Sequence, residues 1–184
     1  AVAAADVEPC TMHRILDTLP GGTVNVEECL TAELPGADPR EIGRARLLLL
    51  QAREEEDDQT ELALVQEGTG LLRLHLNPLN AELAAADRAL MTVALACGDV
   101  EAARDACRNI CDFLAFVLSD DLTASVHPLL SMQHFTLADL EAACGNASGA
   151  RDAIEQCVRG LRVTHGAEGG ALLERAEARL AELR

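Results

Sequence analysis

The sequence has no lysine, no tryptophan and no tyrosine, and aromatic residues fill only 2% of its 184 positions. Without lysine the chain has no amine for a Schiff base, no lysine nucleophile and no Walker-type phosphate loop. With aromatics so scarce, the core has to be filled by Ala, Leu and Val, which suits helices that approach closely over small side chains. Runs of β-branched and aromatic residues are scarce as well, which argues against a sheet and for an all-α fold. Positive charge is also in short supply. Fifteen basic residues, all arginine, face thirty-one acids, for a formal charge of −16. Phosphate binding needs a basic face, so a generic nucleic-acid binder is excluded, and adsorption to anionic membranes is disfavoured. No apolar run reaches the roughly 18 residues that a membrane-spanning helix requires.

The familiar signatures of chemistry are missing too. Seven cysteines lie at 10, 29, 97, 107, 111, 144 and 157, and none forms the C-x-x-C or C-x-C pairs of a zinc site. Cys107 and Cys111 share a helix face, which small buried thiols in a helical core explain. The five histidines (13, 75, 127, 134 and 165) show no H-E-x-x-H spacing, and no glycine-rich nucleotide loop or G-x-S-x-G elbow is present. The expectation is that this chain alone is not an enzyme, with no metal site and no cofactor. An odd number of cysteines and no secretion signal fit a reducing compartment, cytoplasmic or nuclear. The start at Ala1 rather than Met marks the chain as processed or truncated, and Ala1–Ala5 as the remnant of a targeting segment leaves organelle import open.

What is present is a segment that occurs twice. Ala96-Cys97-Gly98-Asp99, ending in Ala103-Arg104-Asp105-Ala106, returns 47 residues later as Ala143-Cys144-Gly145-Asn146, ending in Ala150-Arg151-Asp152-Ala153. Each copy reads as a helix end, a glycine turn and a new helix. Gly98 and Gly145 suit the left-handed position that closes a helix. Asp99 and Asn146 can cap the next amides, and Ala103 and Ala150 offer a small surface for a close helix crossing. This is the turn of a tetratricopeptide-type (TPR-like) helix pair, with a period longer than the usual ~34 residues.

Around that turn the chain divides in two. Residues 1–36 form an irregular segment with short helices, over 8–19 and from Val26 to Leu34, punctuated by Pro20-Gly21-Gly22 and Pro35-Gly36. Residues 37–184 form a TPR-like helical domain. Asp38-Pro39 is an N-cap and first-turn pair opening a long helix, in which the four leucines 47–50 suggest burial on more than one side. The run Glu54–Asp58 is a helix end or solvated loop. Leu62, Val65, Leu72 and Leu76 mark one face of a helix from Glu61, weakened by Gly68 and Gly70. The clear repeats span about 80–118 and 127–164. Val100, Ala103, Cys107, Ile110, Leu114 and Val117 make a core-facing stripe, and Asp120-Asp121 opens a loop. A capping helix over 171–183 closes the stack. Two pairs alone are too few for a stable solenoid, so the helices before residue 77 are expected to pack on the first pair as a degenerate third unit.

Residues 127–166 carry a more specific likeness. His127-Pro128-Leu129-Leu130-Ser131-Met132-Gln133, then Leu137-Ala138-Asp139-Leu140, the Gly145 turn and Gly160-Leu161-Arg162-Val163-Thr164-His165-Gly166 resemble the C-terminal helical domain of the SMYD (SET and MYND) lysine methyltransferases. The likeness extends loosely over residues 40–183. Kinesin-light-chain-type repeats, which share the H-P start and similar turns, are the second resemblance. The SMYD likeness implies an S-adenosylmethionine-dependent methyltransferase only where a SET domain accompanies this part. The family's N-H-S-C-type motif is missing, and a chain without tyrosine cannot supply the SET tyrosine. Cys10 and Cys29 lack the spacing of the family's zinc ligands, and Glu168-Gly169-Gly170 stands where the family places a further histidine.

The leading expectation is therefore a protein-interaction module. A curved stack of antiparallel helices would receive a protein or peptide segment on its concave face, or serve as a subunit of a larger assembly. Counting from the glycine turns places Ala85, Arg88, Thr92 and Leu95 on that face in the first repeat, and Met132, Phe135, Asp139 and Ala142 in the second. Arg88, Thr92, Met132, Phe135 and Asp139 are the candidate binding residues, with Arg88 suited to a partner carboxylate. The alternative is the C-terminal part of a SMYD-like methyltransferase.

Overall fold

Six of the eight helices among the described residues begin where a polar side chain meets an unpaired amide. In the computed structural model, which describes residues 26–118, 127–165 and 170–183, Asp38 accepts from the Arg40 amide and opens α2 (Pro39–Ala52). Asp57 accepts from Thr60 and opens α3 (Asp58–His75). Asn80 opens α4 (Ala81–Cys97), and Asp99 opens α5 (Val100–Val117) by accepting from the Ala102 amide. His127 opens α6 (Pro128–Ala143), and α7 (Ala147–His165) starts after Asn146, whose Oδ1 accepts from the Gly149 amide at 3.1 Å. A short α1 (Val26–Thr31) precedes this set and α8 (Gly170–Glu182) follows it. The expected helix over 8–19, the Asp120-Asp121 loop and Gly166 lie outside the described residues.

The fold is all-α, with no strand among the described residues. Consecutive helices pack as antiparallel pairs, α2 with α3, α4 with α5 and α6 with α7, and each pair packs on the next. The helices before residue 77 do form a third unit, α2–α3. Gly98 and Gly145 both adopt φ of 77°, the left-handed conformation that the duplicated turn requires. Ala103 and Ala150 stand at equivalent positions after those turns, and both are fully buried. The last helix covers the open side of α7, burying Leu173 and Ala176 against Ile154, Cys157 and Leu161.

Two expectations need correction. The four leucines are not buried on more than one side: Leu47 is 62% exposed and Leu50 56%. The α2 helix buries Ile42, Ala45 and Ala52 on the α3 side, and nothing among the described residues covers the opposite face. The other is the start of α3, which begins at Asp58 rather than Glu61 and runs unbroken through Gly68 and Gly70. Gly68 sits at the crossing with α2. A Cβ there would come within 3.0 Å of Leu49 Cγ and 3.1 Å of the Ala45 carbonyl oxygen.

The two glycines should answer a methyl group with opposite signs. Gly70→Ala meets no atom within 4 Å and should stabilise by up to about 1 kcal/mol through helix propensity. Gly68→Ala presses on a backbone oxygen that cannot rotate away, and should destabilise by about 1–2 kcal/mol despite the same propensity gain. Urea denaturation followed by circular dichroism measures both, and equal shifts would refute the close crossing.

Polar ties fix the register between pairs. The Asp87 carboxylate on α4, almost fully buried, accepts from Arg73 on α3 and from Asn109 on α5. Burial pushes its pKa up, and Arg73 and Asn109 oppose that shift. Glu141 on α6, equally buried, takes Arg108 Nε of α5 at 2.7 Å and Asn146 Nδ2 at 2.9 Å. The segment after α1 crosses the α3–α4 turn, where the Leu34 amide donates to the His75 carbonyl at 2.7 Å and the Asn77 amide to the Ala32 carbonyl.

Candidate binding face

The first helices of the pairs are the ones expected to line the binding face. Here those helices are α2, α4 and α6. Among the described residues seven large apolar side chains are exposed, and five of them stand on these three helices: Leu47, Leu50, Leu95, Leu129 and Met132. A folded chain buries such side chains where it can, and among the described residues these five are left largely uncovered.

The expected contact residues fall in two groups. On α4, Ala85, Arg88, Thr92 and Leu95 are all exposed. Thr92 Oγ1 donates to the Arg88 carbonyl at 3.0 Å, so this hydroxyl is occupied within its own helix. The Arg88 guanidinium has no carboxylate partner among the described residues, whereas Arg44, Arg46, Arg73, Arg104, Arg108, Arg151, Arg162 and Arg179 all have one. On α6, Met132 is exposed and Ala142 half-buried. Phe135 and Asp139 already engage the last helix. Arg175 lies 5.5 Å from the centroid of the Phe135 ring, and Arg179 Nε donates to Asp139 Oδ1 at 3.0 Å. The α4 group is thus open, and half of the α6 group shares its contacts with α8.

Residues of α2 stand beside α4, and the repeat count did not include them because α2 lies outside the duplicated segment. Arg46 on α2 grips Glu82 on α4 with two bonds of 2.7 Å. That contact holds the Glu82 carboxyl below its usual range, through the hydrogen bond first, and raises the Arg46 guanidinium. The pair bridges a groove of 360 Å³ between the two inner helices, lined by Leu49, Leu50, Val65, Ala85, Ala89 and Arg53 among others. The sequence signal was the leucine run itself, which continues past the positions that α3 can cover.

The described thiols and imidazoles engage neighbouring helices or cap them. Cys107 and Cys111 are buried, and their mutual hydrogen bond holds Cys107 below the usual thiol value while pushing Cys111 far above it. Gln133 Nε2 sits 3.0 Å from Cys107 Sγ and 3.5 Å from Met91 Sδ. His127 Nδ1 accepts from the Leu129 amide at 3.2 Å, so the H-P pair works as a helix start. His134 is half-buried, which lowers its pKa. Among the described residues no group of three or more His, Cys, Asp or Glu side chains is placed to hold a metal ion, and no helix is long and apolar enough to cross a membrane.

No protein-family model and no curated protein matches the chain. A solved structure does: the crystal structure of a variant of a Podosopora anserina protein described as a kinesin light chain with nearly identical TPR-like repeats. The two are 18% identical, the match covers 82% of this chain and 68% of that one, and the TM-score is 0.57. At that identity the likeness is one of fold, and it places the chain among TPR-like helical repeat structures.

Proposed function

We propose that the chain is a protein-interaction module whose inner face, formed by α2, α4 and α6, receives a segment of a partner protein. The observation that carries this reading is the gathering of exposed large apolar side chains on the first helix of each pair. Arg88 supplies a donor for a partner carboxylate, since its fork of N–H groups is not committed within the described chain. Leu95 on α4 and Met132 on α6 supply exposed apolar contact.

Affinity capture with the full chain tests this reading, run beside Arg88→Glu and Met132→Asp. Both positions are exposed, so helicity should be unchanged, while a discrete partner should be lost by about tenfold or more in at least one variant. A partner captured equally by both variants would move the contact to another surface.

The methyltransferase reading rests on the H-P start at His127 and the Val163-Thr164-His165 end of α7. In that reading the described helices shape a substrate cleft against a SET domain outside this sequence. Joining the chain to such a domain and finding lysine methylation would support it.

A further inference from the structure

The groove between α2 and α4 has two unlike walls. The α2 wall carries leucines, Leu49 and Leu50, and the α4 wall carries Ala85 and Ala89. Alanines opposite leucines leave room that a side chain of leucine size fills, as a knob fills a hole between helices. Both walls are helices whose backbone groups are already paired, so no sheet edge is offered to an extended strand. What fits such a trough is the apolar stripe of another helix.

The charge at one end of the groove is as specific as its shape. Beyond Arg53 the chain continues as Glu54-Glu55-Glu56-Asp57-Asp58, and Glu61 lines the groove itself. The α4–α5 turn comes to the same end. Cys97 Sγ donates to the Asp58 carbonyl at 3.1 Å, and Gln66 Nε2 donates to Asp99 Oδ2 at 3.3 Å. One arginine therefore stands among Glu54, Glu55, Glu56, Asp57, Asp58, Glu61 and Asp99. The Cys97 thiol registers the field: its pKa is raised by the loss of hydration and then by Asp58, Glu61, Asp57 and Asp99.

We propose that the α2–α4 groove binds a basic amphipathic helix of a partner protein, with leucine-sized side chains over Ala85 and Ala89 and Lys or Arg residues against the Glu54–Asp58 rim. This rests on the reading of the inner face as a docking surface and names the class of segment it takes. The chain's charge of −16 acts in the same direction, steering a cationic segment towards the rim before the apolar contacts form.

The test is a fluorescence-anisotropy titration of the full chain with three labelled peptides of about 18 residues, long enough for five helical turns. One is an amphipathic leucine/lysine helix, one carries glutamate in place of lysine, and one scrambles the leucine/lysine sequence so that no apolar stripe forms. The amphipathic basic peptide should bind. Ala85→Phe, which fills the groove from an exposed position, should weaken it by about tenfold. Glu54→Gln/Glu56→Gln/Glu61→Gln should weaken it several-fold and flatten its dependence on salt. Equal binding of the scrambled peptide, or binding untouched by Ala85→Phe, would mean charge attraction alone and would overturn the proposal. Preferential binding of the glutamate peptide would overturn it by moving the contact to Arg53 and Arg88. Failure of all three peptides would overturn it as well. In each of these cases, a partner captured by the parent chain and lost with Arg88→Glu would leave the inner-face reading standing with a different occupant.

Discussion

Leu72→Ala is expected to lower the free energy of unfolding by about 2–5 kcal/mol, while Leu47→Ala changes it by no more than about 0.5 kcal/mol. Both are leucines within helices, yet Leu72 has 0% of its surface exposed and Leu47 has 62%. Leu72 sits where α3 meets both α2 and α4, in a cluster with Ile42, Ala45, Leu76, Leu83 and Ala86. Deleting its branched end leaves a cavity that rigid helices on two sides cannot close, so the transfer and cavity costs add. At Leu47 the removed atoms were already in water, and alanine is at least as good a helix former. Urea denaturation measures both. The Leu72 variant should lose midpoint with an unchanged m-value, because the same surface is still exposed on unfolding. A large loss at Leu47 would show that its face is covered in solution, for instance by a second copy of the chain.

That contrast also marks what could be read from the sequence. The duplicated turn was legible because its requirements are local: a left-handed glycine at 98 and 145, a cap at Asp99 and Asn146, and a buried alanine at 103 and 150. The stripes Leu62–Leu76 and Val100–Val117 were legible because a period near 3.6 survives whatever the partner helix is. The leucines 47–50 were misread because a run of one residue type has no phase. Only the positions of α3 and α4 determine which of the four lie inside. Gly68 was read through its propensity, yet its role lies in the distance to Ala45 and Leu49, 23 and 19 residues earlier in the chain. The same holds for the candidate binding face. Counting from the turns located the exposed side of α4 but could not place α2 beside it, nor show that Arg175 and Arg179 reach back to Phe135 and Asp139.

Leu173→Asp should undock the last helix, and its effect should be graded along the stack. Leu173 is buried among Ile154, Cys157 and Leu161, where an unpaired carboxylate costs about 3 kcal/mol or more. In a linear repeat each unit contacts only its neighbours, so the loss falls first on the terminal pair. Amide exchange in α7 and α8 should quicken by about a hundredfold or more, while α2 and α3 stay near the parent rate. A dye that binds exposed apolar surface should brighten as the α7 face opens. Uniform acceleration in all helices would show instead that the stack melts as one cooperative body, and no acceleration would show that α8 adds nothing to its stability. The variant also bears on function. Undocking α8 releases the Phe135 ring from Arg175 and the Asp139 carboxylate from Arg179, the two α6 positions expected at the binding face. If a partner segment uses them, it competes with the chain's own last helix, and Leu173→Asp should then bind it more tightly than the parent, against the usual direction for a destabilising change.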